Sequence, residues 1–470
     1  MPFPDTVSAP ALAALADVVH RPYWLDRPDR PAPRPALTGD IAADLVVIGG
    51  GLSGLWAAYE ARRRFPDWSV VLLEGNRIAE GASGRNGGFV AASLTHGLPN
   101  GLSRWPDEMP ELVRQGQANL EDIVSVIRAE EIDCDLVRSG ELDVAVEDYQ
   151  ADHLREMVAE GAALGLSYEF LDRDQVRARV DSPTYRAGVL DREGVVMVDP
   201  ARMSWGLAAA VERAGVIVHE QTRVTGLERA GAGLRVATDF GSVRAGRVAL
   251  ATSAFPPLLK RLGHYVVPVY DSVLMTEPLS PEQRASIGWQ DRVGIGDAGN
   301  QFHYYRITDD GRILWGGYDA SYYGGFNPMH ERQGAPFARL SEHFRYTFPQ
   351  LDGLRFTHAW AGAIDTCSRF SAFWGTAYDG RLSYSLGFTG LGVGASRFGA
   401  QVMLDMLAGE RTERTALEMV RTKPIPFPPE PIRGIGIRVT RRSIDQADRN
   451  QGRRNLWLRT LDRIGLGFDS

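Results

Sequence analysis

The residues best equipped for chemistry in this chain are three glycines, one acid and a second run of glycines. Gly49, Gly51 and Gly54 form a G-x-G-x-x-G turn in VIGGGLSGL, and Glu74 follows about twenty residues further on. Each glycine has a separate task. Gly49 permits the tight turn, Gly51 lets the backbone approach a pyrophosphate, and Gly54 lets helix and strand pack closely. The unpaired N–H groups of the next helix, including those of Leu52 and Ser53, favour a diphosphate. Glu74 stands where a ribose-binding acid belongs.

The loop Gly81-Ala-Ser-Gly-Arg-Asn-Gly-Gly88 follows directly. A nicotinamide cofactor has no need of a second glycine-rich loop there. FAD does, because its ribityl chain and isoalloxazine continue past the pyrophosphate and need close backbone approach. Gly81, Ser83, Gly87 and Gly88 would provide that approach, and Arg85 and Asn86 would add donors for phosphate or flavin oxygens. The alternative is an ordinary flexible loop with an exposed arginine.

Positioning these residues requires a βαβ unit. Leu45–Ile48 is a continuous apolar run, as a strand covered on both faces should be. Leu55–Arg64 reads as a helix, and Ser69–Leu73 as a second strand ending at Glu74.

With these motifs in view, the sequence resembles the D-amino-acid-oxidase-like FAD oxidoreductases, most closely the gamma-glutamylputrescine oxidase-like branch. Sarcosine and glycine oxidases are more distant. The motifs are GGGLSG, Glu74 and GASGRNGG, then HGLPNG (96–101), VDPARM (198–203), YYRITDDGRILWGG (304–317), WAGAID (360–365) and GFTGLGVG (387–394). The resemblance implies an α/β Rossmann-like FAD-binding domain with an α+β, antiparallel-sheet substrate domain. It also implies oxidation of a C–N bond in an amine or amino acid by hydride transfer to flavin N5. The imine would be hydrolysed and the flavin reoxidised by O2, giving H2O2, or by another acceptor. By the same resemblance Val224 lies against adenine, although a plain core valine fits the residue equally well. Gly387, Thr389, Gly390, Gly392 and Val393 would present amides to the N1/C2 carbonyl edge of the flavin. Without the family this stretch is a glycine-rich turn before a helix.

The substrate face is expected on the strand Phe302-His-Tyr-Tyr-Arg306. Alternation puts Phe302, Tyr304 and Arg306 on one face, so two aromatics and a guanidinium could stand over the flavin. Aromatic walls would hold an amine's apolar body and disfavour its ammonium form. Arg306 could grip a substrate carboxylate, or pair with Asp309 or Asp310 in the next turn. Tyr270 and Trp315 are further wall candidates, each also suited to packing. His96 is either a polar active-site residue or a structural histidine.

Two departures from the family stand out. Some members link flavin to a late cysteine, but here the register puts Gly362, not Cys367, at that position, so FAD is expected to be non-covalent. Sarcosine oxidases carry a lysine near flavin N5. The matching residue is Trp315, and the only lysines are Lys260 and Lys423. That leaves an amine dehydrogenase with a non-oxygen acceptor open.

Net charge is −7 and the pI about 5.8, so nothing draws the chain as a whole to nucleic acid or anionic lipid. Two cysteines suit a reducing compartment. No apolar run reaches membrane-spanning length, and the N-terminus lacks a secretory layout. A cytoplasmic enzyme is expected. No metal cluster is read. Residues 1–40 are an arm whose Trp24 and Leu25 dock on the body. The FAD domain takes 41–105, 200–258 and 355–410, the substrate domain 106–199 and 259–354, and 411–470 form an Arg-rich tail. An NAD(P)H-dependent flavin monooxygenase is a further alternative; it should show a second nicotinamide fingerprint, and none is found, which leaves open enzymes that use one site for both. A flavin-holding electron-relay protein is the non-enzyme alternative.

Overall fold

A computed structural model describes residues 3–467. The strand Gly39–Ile48 runs parallel to Val70–Leu73 on one side and to Gly241–Leu250 on the other. Leu45, Val46, Val47 and Ile48 are all buried, each side chain contributing roughly 1.5–3 kcal/mol by leaving water. The sheet continues outward through Ile217–His219 at one edge and through Leu382–Leu386 and Phe373–Ala377 at the other. The helix Leu52–Arg64 begins three residues earlier than its apolar pattern suggested, directly on the glycine turn. The carboxyl ends of the parallel strands, at Ile48, Leu73 and Leu250, therefore open onto one crevice, the usual ligand position in such sheets.

A second eight-stranded sheet has the order 356–366, 267–276, 313–317, 303–307, 294–297, 141–145, 187–191, 168–171. It is antiparallel apart from the pair 294–297 and 141–145. Two boundaries in the sequence reading change. Phe356–Thr366, assigned to the nucleotide domain, pairs along Val267–Thr276 and so belongs to this second sheet, with Asp271 opposite Gly362. The helix Met109–Ala129, assigned to the substrate domain, buries Leu112, Leu120, Ile123 and Ile127 in the nucleotide domain's core. Its Asn119 also donates to Gly394 O at 3.0 Å.

The N-terminal arm docks through buried Trp24 and Leu25, as expected. The C-terminal segment is more ordered than its composition suggested. Helices Ile432–Arg449 and Leu456–Arg463 form a hairpin against the second sheet. Tyr322 donates to Glu430, and Asp448 accepts from the backbone of Asn300 and Gln301. Among the described residues no helix is long and apolar enough to cross a membrane.

Candidate active site

One continuous cavity of about 1260 Å³ runs from the glycine turn, between the two sheets, to the C-terminal hairpin. At one end lie Gly49, Gly51, Leu52, Ser53, Glu74 and Val224; Gly81, Ser83, Arg85, Asn86 and Gly87 follow, then Thr389, Gly390, Gly392 and Val393. His96, Phe302, Tyr304 and Asp271 also line the cavity, with Tyr304 packed against Gly87.

The turn has room only for glycine. Gly49 has φ +112°, and a Cβ there would lie 2.4 Å from Ala251 O. At Gly54 a Cβ would lie 1.9 Å from Gly49 O, so this residue's work is close helix–strand packing, away from the cavity wall. Ser83 Oγ accepts from Leu52 N at 2.9 Å, joining the second glycine loop to the helix start. Glu74 accepts from Gly50 N at 2.6 Å and Asn76 N at 2.7 Å, which fixes its carboxylate at the cavity edge; burial raises its pKa.

The second loop is clamped from behind by two indoles. Trp24 Nε1 donates to Asn86 O at 2.9 Å, and Trp360 Nε1 donates to Arg85 O at 2.8 Å. Side chains expected to reach a cofactor serve the loop itself. Asn86 donates to the carbonyls of Ala82 and Ser83 and accepts from Gly88 N. Arg85 pairs with Glu331 at 2.6 Å and donates to Ala361 O. Gly88 and Gly387 stand behind the lining. A Cβ on Gly88 would meet Val198 O at 2.1 Å, and one on Gly387 would meet Cys367 Sγ at 2.9 Å. Asp365 accepts from Gly387 N at 2.7 Å and braces the turn that leads into helix Gly392–Ala408, whose first residues face the cavity.

Arg306 is not a carboxylate clamp. Alternation does put it on the face of Tyr304, but the cavity ends between the two residues. Arg306 is fully buried behind Gly88, donates to Val198 O at 2.5 Å and lies 3.6 Å from Asp135. Burial lowers its pKa to about 10. Asp309 and Asp310 are not its partners; they pair with Arg292 and Arg312. Trp315 is likewise not a wall, because it sits on the opposite sheet face, tilted against Tyr305 with ring centroids 4.4 Å apart. Tyr270 also faces away and exchanges hydrogen bonds with Asn327. His96 does line the cavity, and burial lowers its pKa.

Sequence reasoning missed Asp271. Val269, Asp271 and Val273 share the cavity face of their strand, and Tyr304 donates its hydroxyl to Asp271 Oδ2 at 2.5 Å. Burial raises the Asp271 pKa to about 6, opposed by that hydrogen bond. The signal was present: a lone acid in the largely apolar strand VPVYDSVLMT. The cavity wall from the C-terminal hairpin was missed too, although Ile437, Thr440, Arg441 and Ile444 have the spacing of one helix face.

A dinucleotide with a long second half fits these residues. The glycine turn is too tight for any Cβ, an oriented carboxylate stands about one strand away, and the cavity continues well past a diphosphate. The comparisons agree. Residues 44–406 match the family model described as FAD dependent oxidoreductase (DAO). The gamma-glutamylputrescine oxidoreductase of Escherichia coli (strain K12) is 30% identical over 422 residues, 86% of this chain and 92% of that protein. A probable oxidoreductase, OrdL, of Rhizobium meliloti (strain 1021) is 27% identical over 421 residues, covering 86% and 92%. Glycine oxidase from Geobacillus kaustophilus superposes with a TM-score of 0.70 at 20% identity, over 83% of this chain and all of that one. The chain belongs to the DAO family of FAD-dependent oxidoreductases.

Proposed function

We propose that the protein oxidises the C–N bond of a primary or secondary amine or amino acid. One observation carries this: the carboxylate of Asp271, held by Tyr304 on the cavity wall beside the second glycine loop, with a pKa of about 6. The names of the relatives, an amine oxidoreductase and a glycine oxidase, support the same class.

FAD held by these residues would supply a hydride acceptor at N5, with O2 (giving H2O2) or another acceptor taking up the electrons. The chain's own residues do the rest. Gly49, Gly51 and Ser83 would hold the diphosphate, Glu74 the ribose and Val224 the adenine. Thr389, Gly390, Gly392 and Val393 would stabilise negative charge on the flavin through amides and the helix N-terminus. Asp271 attracts the substrate ammonium and takes its proton. Desolvation beside Phe302 and Tyr304 lowers the amine's pKa as it raises that of Asp271, so the two converge. The imine released is hydrolysed by water.

FAD is held without a covalent bond on this reading. Cys367 lies behind the cavity, its Sγ toward Ser371 O and Gly387 O, and Cys134 is buried elsewhere. A dehydrogenase with a non-oxygen acceptor is the second reading, favoured by the absence of any lysine along the cavity. Anaerobic mixing with an amine and amino-acid panel tests the first claim. Bleaching of the flavin band supports it, and no bleaching across the panel refutes it. Reoxidation by air against a dye acceptor then separates oxidase from dehydrogenase.

A further inference from the structure

Positive charge is concentrated in the C-terminal hairpin. Residues 432–467 carry nine arginines and three aspartates, a net +6, on a chain whose net charge is −7. Three of these arginines are tied to carboxylates: Arg441 to Asp319, Arg449 to Asp5 and Asp445, and Arg454 to Asp462. The side chains of Arg438, Arg442, Arg453, Arg459 and Arg463 form no ion pair or hydrogen bond among the described residues. The hairpin lies beyond residue 406, where the family match ends.

Apolar side chains stand among these guanidiniums. Six of the fifteen large hydrophobic residues exposed in the described chain belong to the hairpin: Ile432, Ile435, Val439, Leu456, Trp457 and Ile464. Leu456 is 72% exposed, Ile432 61% and Ile464 53%. On the helix Ile432–Arg449 the spacing puts Ile432, Ile435 and Val439 on one exposed face, with Arg438 and Arg442 beside them. Ile432 and Trp457 also line the cavity, so the patch rims its outer end.

Scattered exposed leucines need no cover, but a cluster of this kind marks an interaction surface. A soluble polyanion would answer the guanidiniums and leave the aliphatic side chains in water. A second copy of the chain would set like charge against like. Anionic headgroups above an acyl boundary satisfy both parts, the arginines at the phosphates and the aliphatics beneath them. Among the described residues no helix is long and apolar enough to span a bilayer, so such a contact is peripheral.

We infer that the C-terminal hairpin is a docking surface for an anionic lipid bilayer, with the outer end of the cavity at the lipid surface. Docking of this kind is independent of which substrate the cavity takes. Each unpaired arginine close to the headgroups strengthens binding about fivefold, and each aliphatic side chain leaving water about tenfold.

The test is flotation of the holoenzyme at low salt with vesicles of phosphatidylglycerol and phosphatidylcholine in equal parts, against vesicles of phosphatidylcholine alone. The protein should float with the anionic vesicles only, and added salt should weaken the binding. The combined variant Arg438→Gln, Arg442→Gln, Arg459→Gln, Arg463→Gln should bind about 100-fold or more weakly, and Ile435→Gln and Leu456→Gln each about tenfold more weakly. None of these side chains lines the cavity, so the flavin spectrum and Tm should match the wild type and confirm that each variant is folded. Wild-type protein that stays in the soluble fraction, or that floats equally with both vesicle types, overturns the inference. So does flotation that survives the combined arginine variant. Flotation that Ile435→Gln and Leu456→Gln leave unchanged overturns it as well, since a purely charged contact points to an acidic protein or a nucleic acid instead.

Discussion

The Tyr304 hydroxyl donates to Asp271 Oδ2 at 2.5 Å across two strands that are not neighbours in the sheet, since Ile313–Gly317 runs between them. The tyrosine reaches over because the intervening residue is Gly316. A Cβ there would lie 2.7 Å from Tyr304 Cζ. This one glycine lets the phenol lie flat and bring its oxygen to the carboxylate.

The pH dependence follows from that contact. Asp271 works as a base only when ionised, so flavin reduction should fall as pH drops through about 6. Asp271→Asn should remove this limb and slow reduction roughly 100-fold or more. Tyr304→Phe removes the hydrogen bond that favours the charged form, so the limb should move up by about one pH unit. Stopped-flow reduction from pH 5 to 9 reads all three.

Stability should respond in the opposite sense. The folded pKa of Asp271 lies above its ordinary value of 3.8, so the native state binds the extra proton. Stability from this group is present at low pH and lost as pH rises through about 6. Asp271→Asn is therefore expected to raise Tm at pH 8 and to change it little near pH 4.

Arg306 offers a sharp contrast between structural and substrate roles. Arg306→Met leaves Val198 O without its donor and exposes Asp135 to a lost partner. A loss of about 1–3 kcal/mol in unfolding free energy is expected. The KM ratio between carboxylated and uncarboxylated amines should not move. A change in that ratio would return Arg306 to the substrate site.

The indole clamps should control how long FAD stays bound. Trp24→Phe and Trp360→Phe each delete one hydrogen bond to the second glycine loop, worth about 1 kcal/mol. Each is expected to speed FAD release about fivefold, and the double variant more, in a dilution assay read by flavin fluorescence. Cys367→Ala should leave flavin fully extractable by acid, as in the wild type.

The FAD cradle was legible because its chemistry is local in sequence. Gly49, Gly51, Gly54 and Glu74 act within one βαβ unit, and the tight fit at each is a backbone property that spacing reveals. The substrate end was less legible because it depends on where strands stop. Alternation correctly paired Tyr304 with Arg306, yet only the packing of Gly88 and Val198 over the strand decides that one faces the cavity and the other does not. Asp271 comes from a different strand than the one the aromatic cluster drew attention to. The hairpin wall was read only as an Arg-rich tail packed on the body, with no function assigned, because its arginines dominate the composition. Its apolar face, Ile437 to Ile444, shows only at helical spacing.

The central claim is that one cavity holds FAD at the glycine loops and an amine at Asp271. The most direct measurement is the visible spectrum of purified protein before and after anaerobic addition of an amine panel. A yellow protein that releases FAD on denaturation and bleaches with an amine, with bleaching slowed by Asp271→Asn, is the expected result. Colourless protein that refuses FAD, or bleaching that is indifferent to Asp271→Asn, would contradict it.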